Sequence, residues 1–594
     1  VADAGPATDG GDAGCTPTPF FRDQDGDGLG RHLEPMLSCE PPEGWVASSN
    51  DCDDGDPSIT LSVNAGCGGC AENTCPRCER YRDDGVCLRS CAVAPCAAQP
   101  VCAGEADASC LCPQASVDVH GDATVCTAAV QWVRSFGDPT FGGESVGDLL
   151  RDRDGNIWIS GEISGAHNLG GPVGEGIWVG AEGLNAFLAK FSPEGKALWA
   201  RSYNTRGSRQ HDGKLAQDKD GNVWWSGGFF YEMPIGDGLV AEDFATFLAK
   251  FTPAGELLHA QAFPDVNARA IAPSGDFMWI GGNFSKTINL APGKEPEHDL
   301  VHRGGEPGFG ADGFIAQLTL DGEYLWSTSY GGTKNDWPEQ MASDGKGGVW
   351  FATAVYDGVS WNDRTWSLDG EGFVAAIGSV GPEHNLDFPF IATPVGSSTI
   401  GSFLVAIASD SLGNVWATGL IREGSIAIGD KVIAPKEGFQ DMILVKISPT
   451  GEVLFADSFG GGDPGPRRGK LAEGRDLAIA PDDSVWVTGS ALTIDTYIHD
   501  GTPSPPLYLG YLGLAHFSAE GKHLHSARFG DQTKVGGQTL WERVVAGPRG
   551  EVTIGGTFQT LINFAEGLTF PPRARHPTGG KSDTFQIYLA NFRF

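Results

Sequence analysis

Seven times the chain repeats a short strand, a tight polar turn and a second strand that carries Trp and ends in Gly. The clearest copies are Asp152-Arg-Asp-Gly-Asn-Ile-Trp158-Ile-Ser-Gly161, Asp218-Lys-Asp-Gly-Asn-Val-Trp224 and Asp410-Ser-Leu-Gly-Asn-Val-Trp416-Ala-Thr-Gly419. Trp279, Trp350 and Trp486 mark weaker copies, and Thr553 stands at the Trp position of the last. The marker recurs every 55 to 71 residues. A unit this short cannot bury both of its faces alone, so the copies must pack on one another.

Two further strands follow each marker. One reads Phe187-Leu-Ala-Lys-Phe191, Phe247-Leu-Ala-Lys-Phe251, Phe314-Ile-Ala-Gln-Leu318 or Ile443-Leu-Val-Lys-Ile447. After a turn such as Ser192-Pro-Glu-Gly comes the other, for example Leu198-Trp-Ala-Arg-Ser-Tyr203. Four alternating strands in seven units predict an all-β fold, a seven-bladed β-propeller over residues 129–594. The seventh unit ends one strand short at Tyr588-Leu-Ala-Asn-Phe592, and the missing pattern precedes the first unit as Val130-Gln-Trp132-Val-Arg-Ser-Phe136. The N-terminal strand is therefore expected to complete the last blade and remove two sheet edges. The pattern is similar to the seven-bladed propeller repeats of secreted proteins in myxobacteria and their relatives, a resemblance that implies a scaffold and no particular activity.

All fourteen cysteines lie between Cys15 and Cys126, and the 468 residues that follow have none. A dense, even cysteine set predicts a disulfide framework and an oxidising compartment. No apolar run reaches the length of a membrane span and no signal peptide is seen, so a processed, exported chain is expected. The net charge of −35 argues against nucleic acid and anionic membrane surfaces as partners. Residues 1–14, almost all Ala, Asp and Gly, read as a flexible tether of the kind that follows a lipid anchor.

Residues 15–60 hold an acidic pattern. Asp23, Asp25, Asp27 and Leu29 stand at alternate positions of a Gly-rich loop, and Asp51, Asp53, Asp54 and Asp56 form a second cluster. Carboxylates so spaced suit a hard cation that takes oxygen ligands, so calcium is predicted rather than a solvated acidic turn. A Cys39–Cys52 disulfide would bring the two clusters together. Glu34 falls at the twelfth loop position, but Pro35 follows it and no helix pattern flanks the loop, so an EF-hand is not expected. The segment resembles thrombospondin type 3 repeats and, more closely, the bacterial metal-binding motif of MopE-type surface proteins. That resemblance implies calcium ligation by Asp23, Asp25, Asp27 and the later Asp cluster. Over residues 61–128 the Cys67/Cys70 and Cys75/Cys78 pairs could bind zinc, but their close spacing and the many neighbouring cysteines favour disulfides.

Strand order gives the propeller two faces. Connections between first and second strands, and between third and fourth, are short and glycine-rich. The longest join second to third strands, near Ser285 to Asp312, Tyr356 to Glu371, Ala491 to Tyr511 and Gln559 to Asp583. All of these fall on one face, where binding is expected. The cysteine-rich segment should enter from the opposite face, as a stalk.

Ten residues before each marker, Asp148, Lys214, Arg269, Gln340, Asp476 and Arg543 (with Ala406 in the fifth copy) are predicted to line the central channel. A water-filled channel with satisfied charges is favoured over a small polar-ligand site. Gly143-Glu-Ser145-Val-Gly147 fits the nucleophile-elbow formula but precedes a strand, and Gly579-Gly-Lys-Ser582 is half a phosphate loop without a helix. His298, His302, His516, His523 and His525 read as surface histidines, and the Asp152 and Asp218 turns as hairpin turns. Trp178, Trp337, Trp361 and Trp366 fall in connections and could stack on sugars. The reading is a secreted or cell-surface, non-enzymatic protein whose propeller takes a protein or glycan ligand, or serves homo-assembly. The alternative is a lyase- or glycosidase-type enzyme with its site in the central funnel.

Overall fold

The protein is described here from a computed structural model. Among residues 1–143 it describes 18–22, 31–38, 40, 45–46, 79–81, 87–89, 116–118 and 126–136. From residue 144 on it describes all but 170–176, 181–183, 205–208, 292–298, 304–309, 333, 357, 362–363, 368–371, 396–399, 423, 436–439, 460–472, 491–511, 530–538, 559–561, 564–568 and 571–585. The chain divides into two compact units, Val1–Pro113 and Gln114–Phe594.

In the first unit Thr18–Arg22 pairs antiparallel with Arg31–Ser38 and with Trp45–Val46, and Glu79–Tyr81 pairs with Cys87–Arg89. The expected calcium ligands Asp23, Asp25, Asp27 and Leu29 fall between the first two strands and lie outside the described residues. So do the residues 1–14, Asp51, Asp53, Asp54, Asp56, Cys39, Cys52 and the Cys67/Cys70 and Cys75/Cys78 pairs.

The second unit is an all-β, seven-bladed propeller. Blade 1 is Ser145–Arg151, Ile157–Ser164, Leu184–Phe191 and Ala197–Asn204, from innermost to outermost strand. Blades 2 to 6 repeat that order from inner strands Arg209–Gln217, Val266–Ser274, Pro338–Ser343, Ile400–Ser409 and Glu473–Ile479. Blade 7 is Thr539–Ala546, Glu551–Phe558 and Gln586–Arg593, with Cys126–Phe136 antiparallel beside the last, Phe136 opposite Ile587 and Ala129 opposite Arg593. Each inner strand touches the next in a cycle that returns from Thr539–Ala546 to Ser145–Arg151.

Period-two alternation divides each blade between two interfaces. Trp158 is buried with Leu215, Val223 and Phe247 of blade 2. Its neighbours Ile157 and Ile159 are buried with Ile587, Leu589 and Trp132 on the other side.

The marker motif builds a latch. Asp152 closes its turn by accepting from the backbone N–H of Asp154 and Asn156, and it also accepts from Trp158 Nε1 at 3.0 Å. Lys190 lies opposite Trp158 in register, with Nζ 2.9 Å from Asp152 Oδ2 and 5.0 Å from the Trp158 ring centroid. Lys190 Nζ also donates to the Pro253 carbonyl of blade 2 at 2.9 Å. Burial pushes the Asp152 carboxyl up, but the hydrogen bonds from Lys190, Trp158 and Asn156 outweigh it and hold the group below its ordinary value. Asp218, Trp224 and Lys250 repeat the latch and reach Leu320 O of blade 3. Asp410 and Lys446 repeat it beside Trp416 and reach Ala519 O of blade 6.

A second fastening lies on the rim. Gly195 has φ +74°, and a methyl there would lie 2.4 Å from the Trp132 ring; Gly255, at φ +84°, stands in the same relation to Trp199 at 2.7 Å. Each turn glycine thus carries an aromatic of the preceding blade's outer strand and leaves no room for a Cβ. In blade 4, His384 replaces the glycine and stacks flat on Trp326 at 4.4 Å.

A buried ammonium stripped of its carboxylate costs roughly 3–5 kcal/mol, more than the pair itself contributes. Asp218→Ala and Lys250→Met should therefore each lower the denaturation midpoint markedly, whereas the double variant should recover part of the loss. Equilibrium unfolding of the three proteins checks this, and additive losses would show that the pair is not coupled.

Candidate functional site

Each described inner strand carries a register shift near its start, for example between Val146 and Asp148 and between Gly474 and Asp476. The shift is a β-bulge, which re-aims the next side chain. Asp148 thereby points along the ring: Oδ1 accepts from Leu149 N–H and Oδ2 from Leu215 N–H of blade 2, both at 2.9 Å. Gln340 Oε1 accepts from Ile407 N–H of blade 5 at 2.9 Å, and Asp476 Oδ2 from Val544 N–H of blade 7 at 3.0 Å. Arg543 Nε donates to Gly147 O of blade 1 at 2.8 Å and lies 3.8 Å from Asp148 Oδ1. Arg269 forms an ion pair with Glu339 of blade 4 at 2.8 Å.

The six positions therefore separate into groups. Asp148, Lys214, Asp476 and Arg543 share one electrostatic neighbourhood, because Asp476 feels all three others. Burial pushes the Asp476 carboxyl up to about 6, with Arg543 and Lys214 pulling it down and Asp148 pushing it further up. Arg269 belongs instead to a polar group with Glu339 and Trp337. Trp337 Nε1 donates to Glu339 Oε1 at 2.7 Å, and the Arg269 guanidinium lies 5.2 Å over the Trp337 ring. Gln340 braces blades 4 and 5 on its own. At blade 5, where Ala406 offers no polar group, Arg422 donates to Gln440, which donates to Glu473, itself paired with Arg475. Most of these polar atoms are held by neighbouring blades, so the arrangement fastens the ring.

The other motifs resolve locally. Ser145 opens an inner strand and donates to Glu162, with no helix after it. His516 is buried rather than at the surface: it stacks on Trp486 at 3.9 Å, with Nε2 2.8 Å from Ser484 Oγ, which donates to Asp482. It fills the place that Lys190 holds in blade 1, opposite the marker Trp in register. His302 donates to Gly310 O. Trp361 and Trp366 sit on the paired strands Gly358–Trp361 and Arg364–Ser367. His298 and residues 579–582 lie outside the described residues. Among the described residues no three His, Cys, Asp or Glu side chains gather as a metal group, and no helix is long and apolar enough to cross a membrane.

The connections between second and third strands carry small hairpins, such as His167–Asn168 with Trp178–Val179 and Ser425–Ile428 with Lys431–Ile433. In blade 2 the two strands simply run on past the sheet, with a register shift at Tyr231. Trp178, Tyr231, Val240, Val301 and Val432, all in these connections, are more than half exposed. Tyr231 has φ +61°, a left-handed conformation that costs a bulky residue of order 1–3 kcal/mol. The sequence places Val301 in a long connection and Trp178 in a loop, but does not mark Tyr231, Val240 or Val432, since a bulge in a continuous hairpin leaves no mark in alternation. Glu339 was missed for the same reason.

A folded-state value raised above the ordinary 3.8 means that Asp476 favours folding when protonated. Its contribution is complete below that ordinary value and is lost as pH rises through about 6. Asp476→Asn, which keeps an acceptor for Val544 N–H, should therefore raise stability at pH above 7 by about 1–3 kcal/mol and flatten the fall between acid and neutral pH. Thermal melts across pH measure this; an unchanged pH profile would remove the assignment.

Residues 140–162, in blade 1, match the two component regulator propeller family. No curated protein matches the chain. Among solved structures, a protein of unknown function from Dyadobacter fermentans is 12% identical, with TM-score 0.35 over 78% of this chain and 99% of its own. An ulvan lyase of a new polysaccharide lyase family is 10% identical, with TM-score 0.34 over 71% and 93%. Trypanosoma rangeli sialidase is 9% identical, with TM-score 0.31 over 67% and 55%. At these scores none of the three bears on activity.

Proposed function

We propose that this is an exported, cell-surface binding or structural protein without catalytic activity. In this reading a calcium-stabilised, disulfide-linked N-terminal segment carries a propeller used for adhesion or extracellular assembly. The Cys126–Phe136 strand acts as the clasp of the ring, and it is supported by Trp132 Nε1 donating to Pro193 O of blade 1 at 2.7 Å. The Arg151–Glu551 ion pair at 3.0 Å ties blade 1 to blade 7 as well. The observation that carries the binding reading is the exposed apolar set on one class of connection, with Tyr231 held outward in a strained backbone. Aromatic rings presented this way are the usual anchors for protein and sugar ligands.

A glycan and protein array probed with the full chain should return ligands whose affinity falls about 30-fold or more in Tyr231→Ala or Trp178→Ala, with melting temperature unchanged. Ligands indifferent to both changes would remove this face from the proposal, and turnover of a bound glycan would replace it with the enzyme reading. Calcium removal should lower the unfolding transition of the first unit and leave the propeller latch transition nearly in place. A calorimetric scan with and without chelator checks this, and a scan with no change in the first unit would remove calcium from the proposal.

A further inference from the structure

Where two blades meet at the rim, a ring on the outer strand of one seats on the turn between third and fourth strands of the next. Trp199 of blade 1, opposite Lys190 in register, seats on Gly255 of blade 2. Phe455 of blade 5, opposite Lys446, seats on Gly521 of blade 6. Both seams of blade 3 depart from this pattern in the same way. Opposite Lys250, blade 2 carries His259, and a methyl on Gly322 of blade 3 would lie 2.3 Å from its Nε2. On the other side Trp326 of blade 3 meets His384 of blade 4, which has φ +68° at the turn position that Gly195, Gly255 and Gly322 hold in blades 1 to 3. The two rings stack at 4.4 Å with their planes 3° apart. Blade 3 is thus held at its rim by two titratable rings. In blade 6 His525 has the same register position, and its side chain lies outside the described residues.

A neutral imidazole suits both places and an imidazolium does not. His259 Nε2 is buried with no hydrogen-bond partner, so a proton there would bring a charge with nothing to accept it. Burial is the main cause that holds His259 below its ordinary value. Lys250, itself paired with Asp218, acts in the same direction, while a hydrogen bond with Gln261 and the charge of Asp321 on the blade 3 turn oppose it. Glu323 closes that turn. Burial also holds His384 down. The titratable groups on the elements packed against it are Glu383 and Asp387 beside it, with Tyr324 and Asp312 on the two blade 3 strands. The Trp326 face offsets only part of the cost of charging it. His384 Nε2 also bonds Gln317 Oε1 at 2.8 Å, and Gln317 stands where blades 1 and 2 place the latch lysine, so at this seam one residue serves both contacts. An imidazole held below 6.5 favours the closed seam when neutral. Its contribution is complete above that value and is lost as pH falls toward and through the lower value of the closed state.

We propose that blade 3 is an acid-sensitive element of the ring: protonation of His259 and His384 loosens both of its rim seams, while the seams closed by Trp199 and Phe455 stay shut. Such loosening does not depend on the binding function proposed above. Its sign is opposite to that of Asp476, which favours folding when protonated, and the two act in different blades.

The test is hydrogen exchange of the full chain, read by mass spectrometry at about pH 7.5 and about pH 5.5 and corrected for the intrinsic pH dependence of exchange. Acid should increase the opening of blade 3 about tenfold or more relative to blades 1 and 5, since each histidine can shift opening by up to about tenfold one pH unit below its ordinary value. His259→Trp copies the Trp199 seam, and His384→Gly restores the turn residue of blades 1 to 3. Each change should remove part of the acid effect, and the double variant should abolish it. Circular dichroism establishes that the variants are folded, and the two single changes keep the test open should the double variant fail. Blade 3 protection that is unchanged by acid would overturn the proposal, as would a full acid effect in the double variant. Equal loosening of blades 1 and 5, whose seam rings do not titrate, would overturn it too.

Discussion

The buried lysine of the third strand is the contact on which the ring most depends. Its ammonium meets the turn carboxylate, the marker tryptophan face and a carbonyl of the following blade. One side chain therefore joins three levels of structure: a hairpin turn, a strand pair and a blade interface. An apolar residue of equal volume could pack against the tryptophan, but it could not reach the next blade's carbonyl with a directed bond. The desolvation of each charge is offset only because every partner is in place.

Blades without the lysine keep part of its role. In blade 3, Gln317 lies opposite Trp279, and its Oε1 accepts from His384 Nε2 in the turn of blade 4 at 2.8 Å. In blade 7, where Thr553 replaces the tryptophan, Asn591 donates to Thr553 and to Glu551, and Glu551 pairs with Arg151 of blade 1. Blade 6 uses His516 stacked on its tryptophan. In these blades the marker position is met by a buried polar group, and the residue that supplies it varies.

The inner strands also use polar groups. In blades 1, 3, 4, 6 and 7 a bulge near the start turns a carboxylate, amide or guanidinium onto a neighbouring blade. Exposed apolar side chains include Trp178, Tyr231, Val240, Val301 and Val432 between second and third strands, alongside Leu412 in a tight turn and leucines of the outer strands.

The sevenfold marker and the Phe-Leu-Ala-Lys strands were enough to specify a seven-bladed propeller, because alternation over four strands leaves each unit two apolar faces that only its neighbours can cover. The insertions show in the sequence as breaks in a regular spacing, but residues 491–511 and most of 559–583 lie outside the described residues. Side-chain destinations were not legible. Lys190 and Lys250 read as ordinary strand residues and His516 as surface, since their partners lie some 30 to 70 residues away along the chain. Local pattern determined which strands form and in what order; the tertiary structure alone decided which polar groups meet, because that depends on how one blade seats against the next.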